Sequence, residues 1–293
     1  MHRIFLSGVT GNIGKSIVTH LSDRSHYQYT LGVRNVDKTK KLINLTNNMD
    51  LVRFDFEDQT SFKDAFKGID TVFLLRPPHI SDVKKYFPPL LNALSSQNVR
   101  NIIFLSVQGV EKSSVIPHYK IEKLIRESAF NFIFIRPSYF MQNLITTLYD
   151  DLIAKGKIYL PSGEAKFNWV DADNIGELTA HFLENFNTYA NQAFEVTGYE
   201  NLSFSEVALE FKETLQKSVT YVRANPLLFL LSTITKNRNV GFSLVKFLLH
   251  FLPRFQREPE ISSIYEEVTG KNPTTLKQFL LRENEYFQTM DSN

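Results

Sequence analysis

Ile4-Phe5-Leu6-Ser7-Gly8-Val9-Thr10-Gly11-Asn12-Ile13-Gly14 is the stretch that decides the fold. Its apolar start predicts a buried strand. Three glycines follow at Gly-x-x-Gly-x-x-Gly spacing, and Ile17, Val18 and Leu21 continue at a helical period. Strand, glycine turn and helix in that order are the setting of a dinucleotide-binding fingerprint. Glycine reaches dihedrals that other residues resist and lets the backbone come close to a ligand. The helix N-terminus then offers N–H groups and partial positive charge to a diphosphate. Without its flanks the spacing would describe an ordinary turn. With them it predicts a cofactor mouth at Gly8, Gly11 and Gly14.

Working outward, Tyr27–Val33 is rich in aromatic and β-branched residues and predicts a second strand, ending in Val33-Arg34-Asn35. In such a unit a carboxylate at the second strand's tip takes the ribose 2′-hydroxyl of NAD, whereas an arginine accommodates the 2′-phosphate of NADP. Arg34 stands there with Lys38 behind it and no acid at the tip, so NADP is expected, with NAD as the alternative. Asp37 is a candidate N-cap for a helix through Leu42 and Leu45. Residues 51–56 predict a third strand whose end, Asp55 and Phe56, would lie beside an adenine ring. Residues 70–75 predict a fourth, apolar enough to be covered on both faces. It runs into Arg76-Pro77-Pro78 at the C-terminal edge, where open parallel sheets bind ligands. Pro88-Pro89 should kink or split a helix over 82–94.

Strands at 101–106 and 132–135, separated by a helix over 120–128, complete the alternation. The expected class is α/β: a doubly wound parallel Rossmann-type sheet with right-handed crossovers. The expected domains are 1–137, binding the nucleotide, and 138–293, smaller and mixed, with about 168–190 packing back on the first sheet. In the second part we expect a helix over 139–152, strands at 157–160, 168–170, 193–197 and 219–223, and a helix N-capped by Asp173. Ser203 and Glu206 form a capping box. Apolar helices near 226–235 and 242–251 suit a substrate lid, a partner surface or core, core being the simplest. They are too short to span a bilayer but not to lie at its interface. A last helix is expected over 274–286.

With 293 residues, 43% of them hydrophobic, the chain is long enough for a sizeable core. The net charge of +2 argues, on charge alone, for no nucleic-acid or membrane partner. The absence of cysteine excludes disulfides, thiolate metal sites and a cysteine nucleophile. Seven scattered histidines show no metal-ligand spacing. A first strand starting at Arg3 or Ile4 leaves no room for a signal peptide, so a soluble, cytoplasmic protein with no membrane span is expected.

The sequence resembles the atypical short-chain dehydrogenase/reductases, and among them the NmrA-like NAD(P)-binding proteins. The resemblance rests on the glycine stretch, Gly32-Val33-Arg34, Phe54-Asp55-Phe56 and Phe73-Leu74-Leu75-Arg76-Pro77-Pro78. It extends through Pro117-His118-Tyr119-Lys120-Ile121-Glu122, Ile135-Arg136-Pro137-Ser138-Tyr139-Phe140-Met141-Gln142-Asn143 and Trp169-Val170-Asp171-Ala172-Asp173-Asn174-Ile175. It implies a quinone-reductase-like enzyme or a non-catalytic NADP(H) sensor. It also implies that Thr10, Asn12 and Ile13 hold the pyrophosphate, Arg34 the 2′-phosphate, and Asp55 and Phe56 the adenine, with Leu75 and Arg76 flanking the nicotinamide ribose.

The superfamily's proton carrier is a Tyr-x-x-x-Lys pair, and Tyr119 with Lys123 has that spacing. Ile121, Leu124, Ile125 and Ser128, however, define the packed face of their helix. At about 100° per residue, Tyr119 and Lys123 point away from it. If Glu122 is the glutamate that extended members carry four residues after the lysine, His118 takes the lysine position and Ser114 the tyrosine position. Ser106 then matches the usual serine. The candidate catalytic set is Ser106, Ser114 and His118, with His118 as acid through an ordinary pKa near 6.5 or as a plain hydrogen-bonding group to Glu122 or a ribose hydroxyl. Quinone reduction needs least from such a set, because positioning carries most of the chemistry.

The expected function is therefore hydride transfer from NADPH to a quinone-like or other small carbonyl acceptor, with Tyr139, Phe140 and Asn143 as acceptor-wall candidates. The alternative is a redox sensor that signals to a protein partner; a homodimer is also compatible.

Overall fold

The computed structural model describes residues 2–22, 24, 26–236 and 240–290. In chain order the first half contains β1 (His2–Ser7), α1 (Asn12–Leu21), β2 (Tyr27–Val33), α2 (Val36–Lys40), β3 (Met49–Arg53), α3 (Phe62–Ala65), β4 (Thr71–Leu75), α4 (Val83–Ser96), β5 (Asn101–Leu105), α5 (Pro117–Arg126) and β6 (Asn131–Pro137). The second half contains β7 (Tyr139–Phe140), α6 (Tyr149–Lys155), β8 (Lys157–Leu160), β9 (Phe167–Val170), α7 (Ala172–Glu184), α8 (Phe186–Tyr189), β10 (Gln192–Val196), β11 (Asn201–Leu202), α9 (Phe204–Leu215), β12 (Thr220–Arg223), α10 (Pro226–Lys236), α11 (Val240–Phe251), α12 (Ile264–Thr269) and α13 (Leu276–Arg282).

The chain forms two units, the first comprising Met1–Pro137, Ala172–Val196 and Ile264–Lys271. Its seven-stranded sheet has the order β10-β6-β5-β4-β1-β2-β3, and every neighbouring pair is parallel. This is the doubly wound Rossmann-type α/β sheet, whose order reverses direction after β1. Alternate residues separate its two faces. Phe5, Leu74, Phe104 and Phe134 pack with apolar residues of α3, α4 and α5, while Ile4, Leu6, Phe73 and Ile133 are buried as well. α1 packs against α7, and Gly176 makes that approach possible, since a Cβ there would lie 2.0 Å from Ser16 Oγ.

The second unit, Ser138–Asp171, Thr197–Ser263 and Asn272–Asn293, carries a mixed three-stranded sheet, β11-β9-β7, and a parallel pair, β12-β8. Its core gathers Tyr139, Phe167, Trp169 and Phe204 in edge-to-face contacts, with ring centroids 4.9–5.9 Å apart.

Several elements differ from the sequence expectations. The third strand ends at Arg53 rather than 56: Phe54 N still bonds Val33 O, but Asp55 N takes Ser61 Oγ and the chain turns. Asn35, not Asp37, caps α2 by accepting from Lys38 N, and α2 ends before Leu42 and Leu45. Asp173 lies inside α7, where its carboxylate accepts from Ser16 Oγ at 2.7 Å. Pro88 and Pro89 do not split α4, which is assigned as one helix. The carbonyls they leave without an N–H partner belong to Lys84 and Lys85, both on an exposed turn open to water.

The expected helix over 139–152 is three short pieces: β7, a 3-10 turn over Met141–Ile145, and α6. Pairing of Tyr139 with Trp169 overrides the local helical periodicity. The segment 274–286 divides into α13, opened by a capping box of Thr275 and Gln278, and a 3-10 turn over Asn284–Phe287. The capping box at Ser203 and Glu206 is present as expected. The apolar pair α10 and α11 is not core: Leu227, Leu228 and Leu231 are exposed, as are Leu244, Val245, Leu248 and Leu249.

Candidate functional site

The mouth of the first crossover is built by backbone. Gly8 has φ of +72°, and a Cβ there would lie 3.2 Å from Leu75 Cβ. Gly11 N donates to Gly8 O at 3.0 Å and closes the turn. A Cβ on Gly14 would sit 2.2 Å from Gly8 O, so only glycine lets α1 start this close to β1. Gly11 occupies the extended N-cap position and provides no side-chain cap. The first-turn N–H groups of Asn12, Ile13 and Gly14 have no carbonyl within the helix to bond. They are a ready anion cradle, reinforced by the helix dipole.

That mouth opens into a cleft of about 750 Å³ lined by Gly8, Thr10, Gly11, Arg34, Asp55, Phe56 and Leu75. Seven expected cofactor residues are thus brought to one cavity. Asn12, Ile13 and Gly14 do not line it and contribute through the helix turn beside it. Lys38, read beside Arg34 in the sequence, also lines the cleft, as do Asn35, Thr39, Leu42 and His79, for which sequence alone offers no site role. His79 carried no sequence signal. Arg34 and Lys38 are both exposed, and among the described residues neither has an ion-pair partner. Phe54, Phe56 and Leu42 provide apolar lining close to these cations. Asp55 accepts from Glu57 N through Oδ1, which fixes the carboxylate at the cleft wall.

The expected catalytic group lies toward β4, β5 and α5 and does not line that cleft. Arg76 Nη1 donates to Pro77 O, Pro78 O and Ile80 O at 3.0, 3.2 and 2.7 Å. Arg76 therefore fastens the Pro-Pro loop to itself. Among the described residues its Nε is buried without a hydrogen-bond partner, and so is Ser106 Oγ. Ser106 is 2% exposed, held by Ser106 N donating to Ile135 O at 2.7 Å. A buried, unsatisfied hydroxyl costs about 1–3 kcal/mol, so such groups ask for a ligand or a water.

His118 is half-buried beside Phe104, with ring centroids 6.0 Å apart. Burial, and then the Arg76 charge, push its pKa down to about 3. Its ring is neutral near pH 7, which removes the imidazolium acid that its ordinary pKa had suggested. Glu122 does not hold it either. Glu122 Oε1 accepts from Arg136 Nε at 3.0 Å and Oε2 from Arg136 Nη2 at 2.7 Å, a bidentate pair that ties α5 to β6. Ser114 is exposed in the loop before α5. Tyr119 is half-buried and Lys123 exposed, the latter facing Glu127 at 3.7 Å.

Tyr139 is a core residue of the second unit, enclosed by Phe167, Trp169 and Phe204 rather than standing as an acceptor wall. Its hydroxyl lies 3.0 Å from His250 Nε2, while His250 Nδ1 lies 2.7 Å from Lys246 O. With Nδ1–H donating to that carbonyl, Nε2 accepts from the tyrosine. Phe140 and Asn143 are half-buried on the following turn.

A family model described as the NmrA-like family matches residues 1–280. The chain belongs to the NmrA-like family. Prestalk A differentiation protein A of Dictyostelium discoideum is 26% identical over 280 residues, covering 94% of this chain and 90% of that one. An NAD(P)H azoreductase of Xenophilus azovorans is 28% identical over 224 residues, covering 75% and 76%. Among solved structures, an NADPH-dependent quinone oxidoreductase of Escherichia coli in complex with NADPH superposes with a TM-score of 0.82. That match is 17% identical and covers 96% of this chain and 99% of the other. At that identity it is a likeness of fold. The dinucleotide fits the NmrA-like chain on its own geometry: a cradle that a Cβ would fill, unpaired cations at the rim, and orphaned polar atoms at Ser106 and Arg76.

Proposed function

We propose that this NmrA-like protein is an NADPH-dependent oxidoreductase that reduces a quinone-like or other small carbonyl acceptor. The observation that carries the reading is the glycine turn at Gly8 and Gly11 lining one cleft with two cations that lack ion-pair partners among the described residues, Arg34 and Lys38. NADPH, when bound, supplies the hydride. Thr10 and the N–H groups of Asn12 and Ile13 hold its diphosphate. Arg34, with Lys38, takes the 2′-phosphate through charge-assisted hydrogen bonds. Asp55 and Phe56 flank the adenine, and Leu75 and Arg76 bound the nicotinamide ribose.

Ser106 Oγ is a neutral donor for a carbonyl oxygen. His118, held neutral, offers a ring N–H but no imidazolium proton at pH 7. This suits an electron-poor acceptor. Hydride addition to a quinone leaves an oxyanion that its aromatic ring stabilises, and water supplies the remaining proton. Positioning then carries the rate, without an acid of matched pKa. The names of the azoreductase relative and the quinone oxidoreductase neighbour point the same way.

A second reading, a non-catalytic NADP(H) sensor acting on a protein partner, is favoured by the same lack of a charged acid. Steady-state NADPH oxidation with a panel of quinones separates the two. Turnover that saturates with one quinone class supports the reductase. No turnover with any acceptor, combined with dinucleotide-dependent capture of a partner, supports the sensor.

A further inference from the structure

The hairpin of α10 and α11 spends apolar surface on solvent. Leu227, Leu228 and Leu231 on α10 are 72, 61 and 60% exposed, and Val245 and Leu249 on α11 are 61 and 50%. Phe255, just beyond α11, is 74% exposed. Among the described side chains of the pair, Phe229, Ser243 and His250 are buried. Large apolar side chains exposed on both helices of a pair mark a surface that something covers.

Charge says what covers it. From 226 to 257 the sequence has no Asp or Glu, yet holds Lys236, Arg238, Lys246, Arg254 and Arg257. The whole chain is only +2, so the remaining residues are net acidic. At the C-terminal end of the apolar face lies a cleft of about 500 Å³ lined by Lys166, Arg223, Arg254 and Arg257 together with Glu164 and Glu258. The two acids are answered within the cleft: Arg223 pairs with Glu164, and Lys166 lies 4.0 Å from Glu258. Arg254 stacks over Phe251 and Phe255, its guanidinium 5.4 and 6.0 Å from their centroids. Among the described residues neither Arg254 nor Arg257 has an ion-pair partner.

We propose that the α10–α11 hairpin docks on an anionic lipid surface, its leucines entering the acyl boundary and Arg254 and Arg257 meeting phosphate headgroups. Helices of 11 and 12 residues are too short to cross a bilayer, and no helix among the described residues is long and apolar enough to do so. An apolar hairpin with Arg254 and Arg257 beyond its end can lie in the interface plane without spanning the bilayer. A second copy of the chain is the poorer occupant, because a two-fold contact would set Arg254 and Arg257 against their own copies.

The test is co-sedimentation of the full chain with vesicles of phosphatidylcholine, alone or with about one-third phosphatidylglycerol. We expect partition at least about tenfold stronger on the anionic vesicles, falling as salt shortens the Debye length. Arg254→Gln with Arg257→Gln should weaken that partition severalfold. Leu228→Gln, Leu231→Gln, Val245→Gln and Leu249→Gln together should abolish it. Far-UV circular dichroism confirms that each variant is folded; the wild-type salt series and the arginine pair stand even if the fourfold variant is not. No partition on anionic vesicles, or equal partition on both kinds, overturns the proposal. So does concentration-dependent self-association in sedimentation velocity that the fourfold variant abolishes, since a second copy would then cover the face.

Discussion

The C-terminal edge of one parallel sheet does two different jobs on the two sides of its β1–β4 pair. At the β1–β2 end the geometry is backbone: a left-handed Gly8, a Gly14 with no space for a methyl, and cations at the rim. At the β4–β5 end it is side chains: Ser106 and Arg76 with buried unpartnered atoms, and a His118 too poorly solvated to hold a proton. The first is built to hold a negative charge, and the second keeps its histidine neutral beside the Arg76 cation. This division suits a protein that grips a polyanion at one place and keeps its chemistry neutral at another. It also says where mutation should hurt.

The largest effect is expected at Gly14. Gly14→Val places side-chain atoms against the Gly8 carbonyl and should destabilise the protein by about 2 kcal/mol or more while abolishing NADPH binding. A melting curve alongside a fluorescence titration reads both; a stable variant with intact affinity would break the backbone half of the comparison. Arg34→Ala should weaken NADPH by about tenfold, near the 1.5–3 kcal/mol of a hydrogen bond to a charged group, and leave NADH unchanged. Equal losses for the two nucleotides would remove the arginine from 2′-phosphate recognition.

Smaller effects sharpen the neutral end. His118 and His250 titrate in the folded chain at about 3 and about 4, against an ordinary value near 6.5. Both are lowered chiefly by burial, so between about pH 6.5 and 4 the unfolded chain binds protons that the native chain refuses. Stability should therefore be full above about pH 6.5 and fall as the pH drops, by at most about 1.4 kcal/mol per unit for each histidine. His250→Gln should flatten that slope in urea titrations; an unchanged slope would contradict a neutral buried His250. The smallest effect belongs to Tyr119→Phe, which should leave kcat/KM within about twofold, since removing a group outside the reacting atoms touches little transition-state binding. Loss of turnover in a folded Tyr119→Phe protein would restore the tyrosine-lysine pair.

Legibility in the sequence followed the same divide. The mouth could be read because its rules are local: glycine spacing, an arginine at a strand tip, an apolar run before a helix. Thr10, Arg34, Asp55 and Leu75 then met in one cleft because parallel strands bring their C-terminal ends together. What was not legible depends on distant contacts. Tyr139 looked like a pocket wall until Phe167 and Trp169 of β9 and Phe204 of α9 enclosed it. Glu122 looked like a partner for His118 four residues away, but Arg136 on β6 takes both of its oxygens. Arg76 was expected on a loop flanking the nicotinamide ribose, and the loop's own carbonyls bind it. The α10–α11 hairpin failed in the opposite sense. Its apolarity suggested burial, because period and composition do not say whether a face meets protein or something else.

The account rests on the cleft beside Gly8 holding a phosphorylated dinucleotide, and calorimetric titration of the wild-type chain with NADPH and with NADH tests this most directly. The account predicts one saturable site and an affinity for NADPH about tenfold or more above that for NADH. No binding of either nucleotide, or equal affinity for both, would contradict it.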